Sequence, residues 1–411
     1  MTTSEPGTRQ MASVKEQLRV LMHGTEFGDE TTRQTMEREL RTRLEEDRPL
    51  RVYCGYDPTK VDLHLGHTVT MRKLRQFQEF GHDVTFLIGS FTALIGDPSG
   101  ADKTRPMLTP EEIEANAKTY TDQAFHILDA ERTTIRFNEE WLSQLDFADV
   151  LRLTSQFTLA QFLRRENFAK RHETGDPIHL SEFLYALMQA YDAYHMDTDV
   201  QIGGTDQLFN LMAGRQLQEA WGRRPQICLT LPILVGTDGH QKMSKSLGNY
   251  IGIEEPPNDM YGKVMSIPDS AIVDYFTLLT PLPPGEVDSI REALDGGTLP
   301  PMEAKKRLAE EVTAIFHSPP EARAAQEYFE STFQRRETPG EMPALAVQHG
   351  CGLGDALVDA GLVESKGAVR RLVAQGAVSV NGDAIDDFTI EVMPGDEIRV
   401  GRHRFLRIVQ G

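Results

Sequence analysis

Two short segments carry side chains whose spacing suits phosphate chemistry. His64-Leu65-Gly66-His67 sets two imidazoles three residues apart, on one side of a helix start. It follows a short β-rich run, Arg51 to Tyr56, and the turn Gly55-Tyr56-Asp57-Pro58-Thr59. A helix that opens out of such a turn aims unpaired backbone N–H groups and the positive end of its dipole at the loop, which makes an anion site. Gly66 permits an approach that a Cβ would block. Taken alone, the tetrapeptide reads more readily as two surface histidines on a helix. Lys242-Met243-Ser244-Lys245-Ser246 changes that balance. It follows a strand, lies among Gly236, Gly239 and Gly248 on a loop, and offers two cations able to clamp a polyphosphate as charge moves to a leaving group. Either segment has a bland reading; both together, each after a strand, do not.

Two further patterns add polar groups. Tyr185, Gln189 and Asp192 fall at i, i+4 and i+7, so they share one helical face beside apolar Phe183, Leu184, Leu187 and Met188. An amphipathic surface helix would show the same spacing. Gly203-Gly204-Thr205-Asp206-Gln207 puts a carboxylate just past a strand end, where a ribose diol is usefully held.

The elements that must position these groups alternate. Strand Arg51–Tyr56, a helix from about His64 to Phe80 closed by Gly81-His82, and strand Val84–Gly89 form a βαβ unit and predict a parallel sheet. Helical patterns fill 110–130 and 147–195, and strands follow at 200–202 and 227–235. After Pro256-Pro257 the chain reads as helices over 257–280, 284–295 and 302–334. From 344 onward a helix near 352–360, a second after Ser365, and Asn381-Gly382 between short strands describe a small α+β unit.

Bulk properties set limits. A chain of 411 residues exceeds one ordinary domain. It has no run of about 18 apolar residues and no secretory start, so it is expected in the cytoplasm and not in a membrane. Cys54, Cys228 and Cys351 are scattered, with no Cys-x-x-Cys pair, which argues against a disulfide framework or a cysteine zinc site. The net charge of −19 opposes a nucleic-acid partner only if basic residues are dispersed. They are not: Arg164, Arg165, Lys170 and Arg171 cluster, as do Lys366, Arg370 and Arg371, and Arg399, Arg402, Arg404 and Arg407.

The two opening motifs resemble the HIGH and KMSKS signatures of class I aminoacyl-tRNA synthetases. With Tyr53-Cys54-Gly55-Tyr56-Asp57-Pro58-Thr59, Gly96-Asp97-Pro98-Ser99-Gly100, the Tyr185 helix and the Gly203 loop, the chain is similar to bacterial-type tyrosyl-tRNA synthetases from about residue 35 to its end. The resemblance implies an N-terminal helical extension (1–34) and a Rossmann-like α/β catalytic domain (35–250) with a helical insertion at about 110–195. It implies next an all-α anticodon-binding domain (251–335), a linker (336–343) and an S4-type α+β RNA-binding domain (344–411). Tyr53 and Asp192 would then bond the substrate phenol. Asp97, Tyr185 and Gln189 would hold its ammonium, and Gln207 would place its carboxylate. Asp57, Thr59, His64, Gly66, His67, Gly204, Asp206 and Lys245 would hold ATP, with His64, His67, Thr59, Lys242 and Lys245 acting in catalysis. A phenylalanine would leave buried polar groups unmatched, so no editing domain is needed.

The same resemblance implies ATP with Mg²⁺ as substrate and no tightly bound protein metal. It implies L-tyrosine and tRNA(Tyr) as partners, and a homodimer through the insertion. Arg164 and Arg165 would meet the acceptor stem, and Lys366, Arg370 and Arg371 the far side of the tRNA. One departure stands out: many tyrosyl relatives carry Lys after Gly-Asp-Pro-Ser-Gly, where this chain has Ala101, with Lys103 and Arg105 the nearest cations to replace it. A tryptophanyl enzyme, a synthetase-like RNA-binding protein without catalysis, and a small nucleotidyltransferase are the rival readings. Tyr53 with Asp192 favours a phenol over an indole, intact motifs favour catalysis, and the basic tail disfavours the third.

Overall fold

The computed structural model describes residues 12–59, 62–99, 109–334, 342–401 and 404–411. The chain divides into two compact units, residues 1–323 and 324–411. The first is built on five parallel strands, β1 (Arg51–Tyr56), β2 (Asp83–Ile88), β3 (Thr133–Phe137), β4 (Val200–Gly204) and β5 (Ile227–Leu231), in the order β3-β2-β1-β4-β5. The order reverses between β1 and β4. The loops leaving these two strands therefore diverge and open a crevice at their C-terminal ends. β5 is buried along its whole length and β4 along all but its last residue, as expected of a parallel sheet covered on both faces. The sequence patterns assign helix over 110–130 and 147–195 and nothing between them, where β3 lies. It is a five-residue edge strand whose burial shows no clean alternation.

Two helices precede the sheet, α1 (Val14–Met22) and α2 (Glu30–Leu44). Helix α3 (Leu65–Phe80) runs between β1 and β2; His64 is its N-cap, and Gly81 ends it in the left-handed conformation at φ 94°. Helix α4 (Pro110–Ala124) precedes β3. The segment to β4 is broken into four short helices, α5 (Glu139–Leu142), α6 (Phe147–Thr154), α7 (Leu159–Leu163) and α8 (Glu166–Thr174), before the longer α9 (Leu180–His195). Helix α10 (Leu208–Ala220) leaves β4 and packs along α9. Four helices between Pro257 and Phe316 complete this part of the chain.

A buried carboxylate ties α2 to the sheet. Asp199, just before β4, is fully buried and receives Arg43 from α2, Arg48 (2.9 Å to each oxygen) and the backbone N–H and Nε of Arg51 (both 3.0 Å). Burial alone would push this carboxyl up. The hydrogen bonds and charges of Arg48 and Arg51 overcome it and hold the group well below the usual carboxylate range.

In the second unit, helices Leu353–Asp359 and Lys366–Ala374 lie with a five-stranded sheet and a two-stranded one around a core that includes Leu353, Leu357, Val369 and Ile398. The Ser365 hydroxyl caps the second helix. Asn381 and Gly382 both take positive φ (51° and 90°), the turn that joins strands Val378–Val380 and Asp383–Ala384. No helix among the described residues is long and apolar enough to cross a membrane.

Asp199→Ala leaves the Arg43 guanidinium buried without its carboxylate, and should cost about 3–5 kcal/mol of stability in denaturant unfolding at pH 7. Because the native carboxyl is depressed, its contribution is full above about pH 4 and is lost as pH falls further. The gap between the two proteins should therefore narrow in acid.

Candidate active site

A cavity of about 360 Å³ opens at the crevice between β1 and β4. Its wall gathers Tyr53, Asp57, Thr59, His64, Gly66, His67, Asp97, Tyr185, Gln189, Asp192, Gly204, Asp206, Gln207 and Lys242. These residues span 190 positions of sequence, and the reversal of strand order is what brings them together.

At one end lies Asp192, 2% exposed. Oδ1 accepts from the Trp141 indole N–H (2.7 Å) and Oδ2 from the Asn138 amide (3.3 Å). Burial pushes this carboxyl up to about 7 against those two bonds, and the charge of Asp57 adds to the rise. Tyr53, 1% exposed, has a hydroxyl with no hydrogen-bond partner among the described residues. Burial first, and then the charge of Asp192, raise its phenol far above the ordinary range, so it remains a donor. A buried hydroxyl left unmatched next to a carboxylate with spare lone pairs fits a ligand that brings its own hydroxyl.

A chain of hydrogen bonds runs from there to Asp57 and Tyr185. Asn138 also donates to the Thr92 hydroxyl (3.1 Å), Thr92 to Asp57 Oδ1 (2.8 Å), and the Tyr185 hydroxyl to Asp57 Oδ2 (2.8 Å). Gly89 makes this possible, because a Cβ there would sit 2.0 Å from Asp57 Oδ1 and 2.5 Å from Thr92 Oγ1. Trp141, Asn138, Thr92 and Gly89 were not picked out from sequence. Two of them follow the unrecognised β3, and nothing in their spacing points to Asp192.

The two histidines cap their own helix. The Gly66 N–H donates to His64 Nδ1 and the His64 N–H to His67 Nδ1, both at 3.2 Å, with the rings 3.9 Å apart. With both Nδ1 atoms accepting, each ring carries its proton on Nε2 and presents a neutral donor. Gly66 must lack a side chain, since a Cβ would lie 2.9 Å from the His64 ring.

Three more of the expected site residues have polar partners of their own. Gln207 donates to Asp97 Oδ2 at 2.5 Å. Lys242 reaches Asp206 at 3.0 Å, and Lys245 pairs with Asp62 at 3.2 Å outside the cavity wall. Arg165, grouped with the RNA-facing basic residues, is buried instead: its Nη2 donates to Ser99 Oγ (2.5 Å) and its guanidinium lies over the Phe209 ring. Arg171 is likewise buried, paired with Glu182 at 2.5 Å. Arg164, Lys366, Arg370 and Arg371 are exposed, with Lys366 paired to Asp355 at 2.5 Å. A second cavity, about 920 Å³, is lined by Arg164, Arg165, Lys170, Phe157 and Phe209 and shares Ser99 and Asp206 with the first. Ala101, Lys103, Arg105 and Arg402 lie outside the described residues.

Comparison with known proteins agrees with this geometry. A family described as tRNA synthetases class I (W and Y) matches residues 45–334, and one described as the tyrosine–tRNA ligase SYY-like C-terminal domain matches 335–408. The tyrosine–tRNA ligase of Thermotoga maritima is 50% identical over 91% of this chain and 94% of its own. That of Aquifex aeolicus is 46% identical over 97% and 99%. The crystal structure of Archaeoglobus fulgidus tyrosyl-tRNA synthetase complexed with L-tyrosine superposes with TM-score 0.60 at 27% identity, covering 76% of this chain and all of that one. The chain belongs to the class I tRNA synthetases of the tryptophan and tyrosine branch and, within it, to the tyrosine–tRNA ligases.

Proposed function

We propose that the cavity binds L-tyrosine and ATP side by side, forms tyrosyl-adenylate and pyrophosphate, and then passes the tyrosyl group to the 3′ end of tRNA(Tyr). The observation that carries this reading is the Tyr53 hydroxyl, buried without a partner beside the charge of Asp192. The substrate phenol donates to Asp192 and accepts from Tyr53. Asp97, Tyr185 and Gln189 take the ammonium, and Gln207 stands next to Asp97 to reach the carboxylate. Asp206 and Gly204 take the ribose, which displaces Lys242 from Asp206 toward the phosphates.

The tyrosine carboxylate attacks the α-phosphorus in line, and pyrophosphate leaves. The nucleophile is already an anion, so the protein supplies position and charge rather than a base. His64 and His67 donate through Nε2, Thr59 through its hydroxyl, and Lys242 and Lys245 close on the leaving group. Mg²⁺ would accompany the triphosphate and offset its charge.

The second cavity, with exposed Arg164 and Lys170 near its aromatic rings, suits the tRNA 3′ end, and Lys366, Arg370 and Arg371 suit phosphates of another part of the RNA. The helices of residues 251–335 would serve the anticodon side, and 344–411 the S4-type role. Phe147, Leu151, Leu159 and Leu180 are 55–81% exposed and all come from the 110–195 segment, which supports a homodimer through it. The cytoplasm, where translation runs, is the expected compartment.

Three measurements test this. Asp192→Asn should weaken tyrosine binding roughly ten- to 150-fold, the worth of one hydrogen bond to a charged group. Its thermal stability should not fall. Asp192 binds its proton more tightly when folded, so ionising it costs stability progressively from about pH 4 to pH 7, and the asparagine variant gains over that range. Lys245→Ala should slow tyrosine-dependent ATP–pyrophosphate exchange by roughly 10²–10³-fold with little change in tyrosine affinity. Affinity for tRNA should drop steeply as salt is raised while tyrosine affinity stays level; a flat tRNA response would remove the phosphate contacts assigned to the arginines.

A further inference from the structure

The loop that carries Lys242 and Lys245 is held by a side chain outside the Lys-Met-Ser-Lys-Ser segment. Asn249 is 5% exposed. Its Oδ1 accepts from the Ser244 N–H (2.8 Å), while Nδ2 donates to Asp238 Oδ2 (2.8 Å) and to the Lys242 carbonyl (3.2 Å). One amide thus grips the backbone on both sides of Met243. From the other side, the Met243 N–H donates to the Leu234 carbonyl (2.9 Å), its side chain is buried, and Val235 bridges to Lys242. Asn249 anchors itself through its carbonyl, which accepts from Thr237 N–H (2.9 Å). Asp238 is fixed in turn by the N–H groups of His240 and Gln241 (2.9 and 3.0 Å). The pocket is cut to the amide: a Cβ on Gly236 would fall 2.3 Å from Asn249 Cγ.

An amide is the group this position requires, because it must accept from one backbone N–H while donating to a carboxylate and a carbonyl. Aspartate keeps the acceptor but turns a second negative charge toward Asp238; alanine keeps nothing. Asn249 itself is absent from the cavity wall, so whatever it does for the reaction it does through the loop.

We propose that Asn249 is a positioning residue for adenylate formation: it fixes the backbone from which Lys242 and Lys245 reach the pyrophosphate. This rests on the role given above to the two lysines. It names a residue that contacts neither tyrosine nor ATP, yet sets the rate of the chemical step.

The test is a double-mutant cycle on the full-length protein, read by tyrosine-dependent ATP–pyrophosphate exchange. Asn249→Asp should lower kcat about ten-fold or more with the KM for tyrosine within about two-fold of wild type. Lys245→Ala placed on Asn249→Asp should then cost about a tenth or less of the factor it costs in the wild-type protein, because the lysine is already misplaced. Penalties that multiply in full, or a wild-type kcat in Asn249→Asp, would overturn the proposal. Unchanged exchange in Lys245→Ala alone would instead strike the lysine's role and remove the ground of both readings. Should Asn249→Asp fold poorly, Asp238→Ala at the exposed end of the clasp should reproduce the pattern at about three-fold in kcat, and additive behaviour there would equally overturn it.

Discussion

The site is organised around a carboxylate kept inside the protein by neutral donors. Asp192 sits behind the cavity with an indole N–H on one oxygen and an amide N–H on the other. A cation would have stabilised the charge better, but it would also have used the oxygens up. Neutral donors leave part of the charge unanswered, and its carboxyl is pushed up to about 7 as a result. Tyr53 shows the same incompleteness from the other side, a protonated phenol with nothing to bond. The surrounding fold is arranged to keep both groups dry: β1 supplies Tyr53, the residues just past β3 supply Asn138 and Trp141, and α9 supplies Asp192.

The reversal of strand order gathers two sets of side chains at one crevice. Loops after β1 carry the histidines and Asp57, and those after β4 carry Asp206 and Gln207. The hydrogen-bond chain Asp192–Asn138–Thr92–Asp57–Tyr185 runs along the cavity wall without a break. On the function proposed above, the ion pair between Lys242 and Asp206 would set the loop and a ribose in competition for one carboxylate.

What could be seen in the sequence was what repeats at short range. The histidine pair, the lysine loop and the i, i+4, i+7 face of α9 are all local patterns, and the structure brings them to one cavity. The Asn381-Gly382 turn was legible for the same reason: its backbone angles are properties of two residues. What was not legible is long-range. Trp141 and Asn138 meet Asp192 across 51 and 54 positions, and no periodicity connects them. Arg165 looked like surface because it stands beside Arg164 in a basic run, yet a hydroxyl at Ser99 and the face of Phe209 draw it inward. β3 escaped because an edge strand of five residues carries too little pattern to outweigh the helical segments around it.

The mutual capping of His64 and His67 narrows what can stand at either position. Each ring accepts a backbone N–H on Nδ1 and offers a proton on Nε2, two atoms at different reach from the chain. Asparagine places a polar atom near the first position and has nothing at the second; glutamine does the reverse. Lysine and arginine donate only. Protonated histidine fails too, because an imidazolium has no acceptor left. No other side chain therefore reproduces both atoms, and a change at either position takes away part of the helix start.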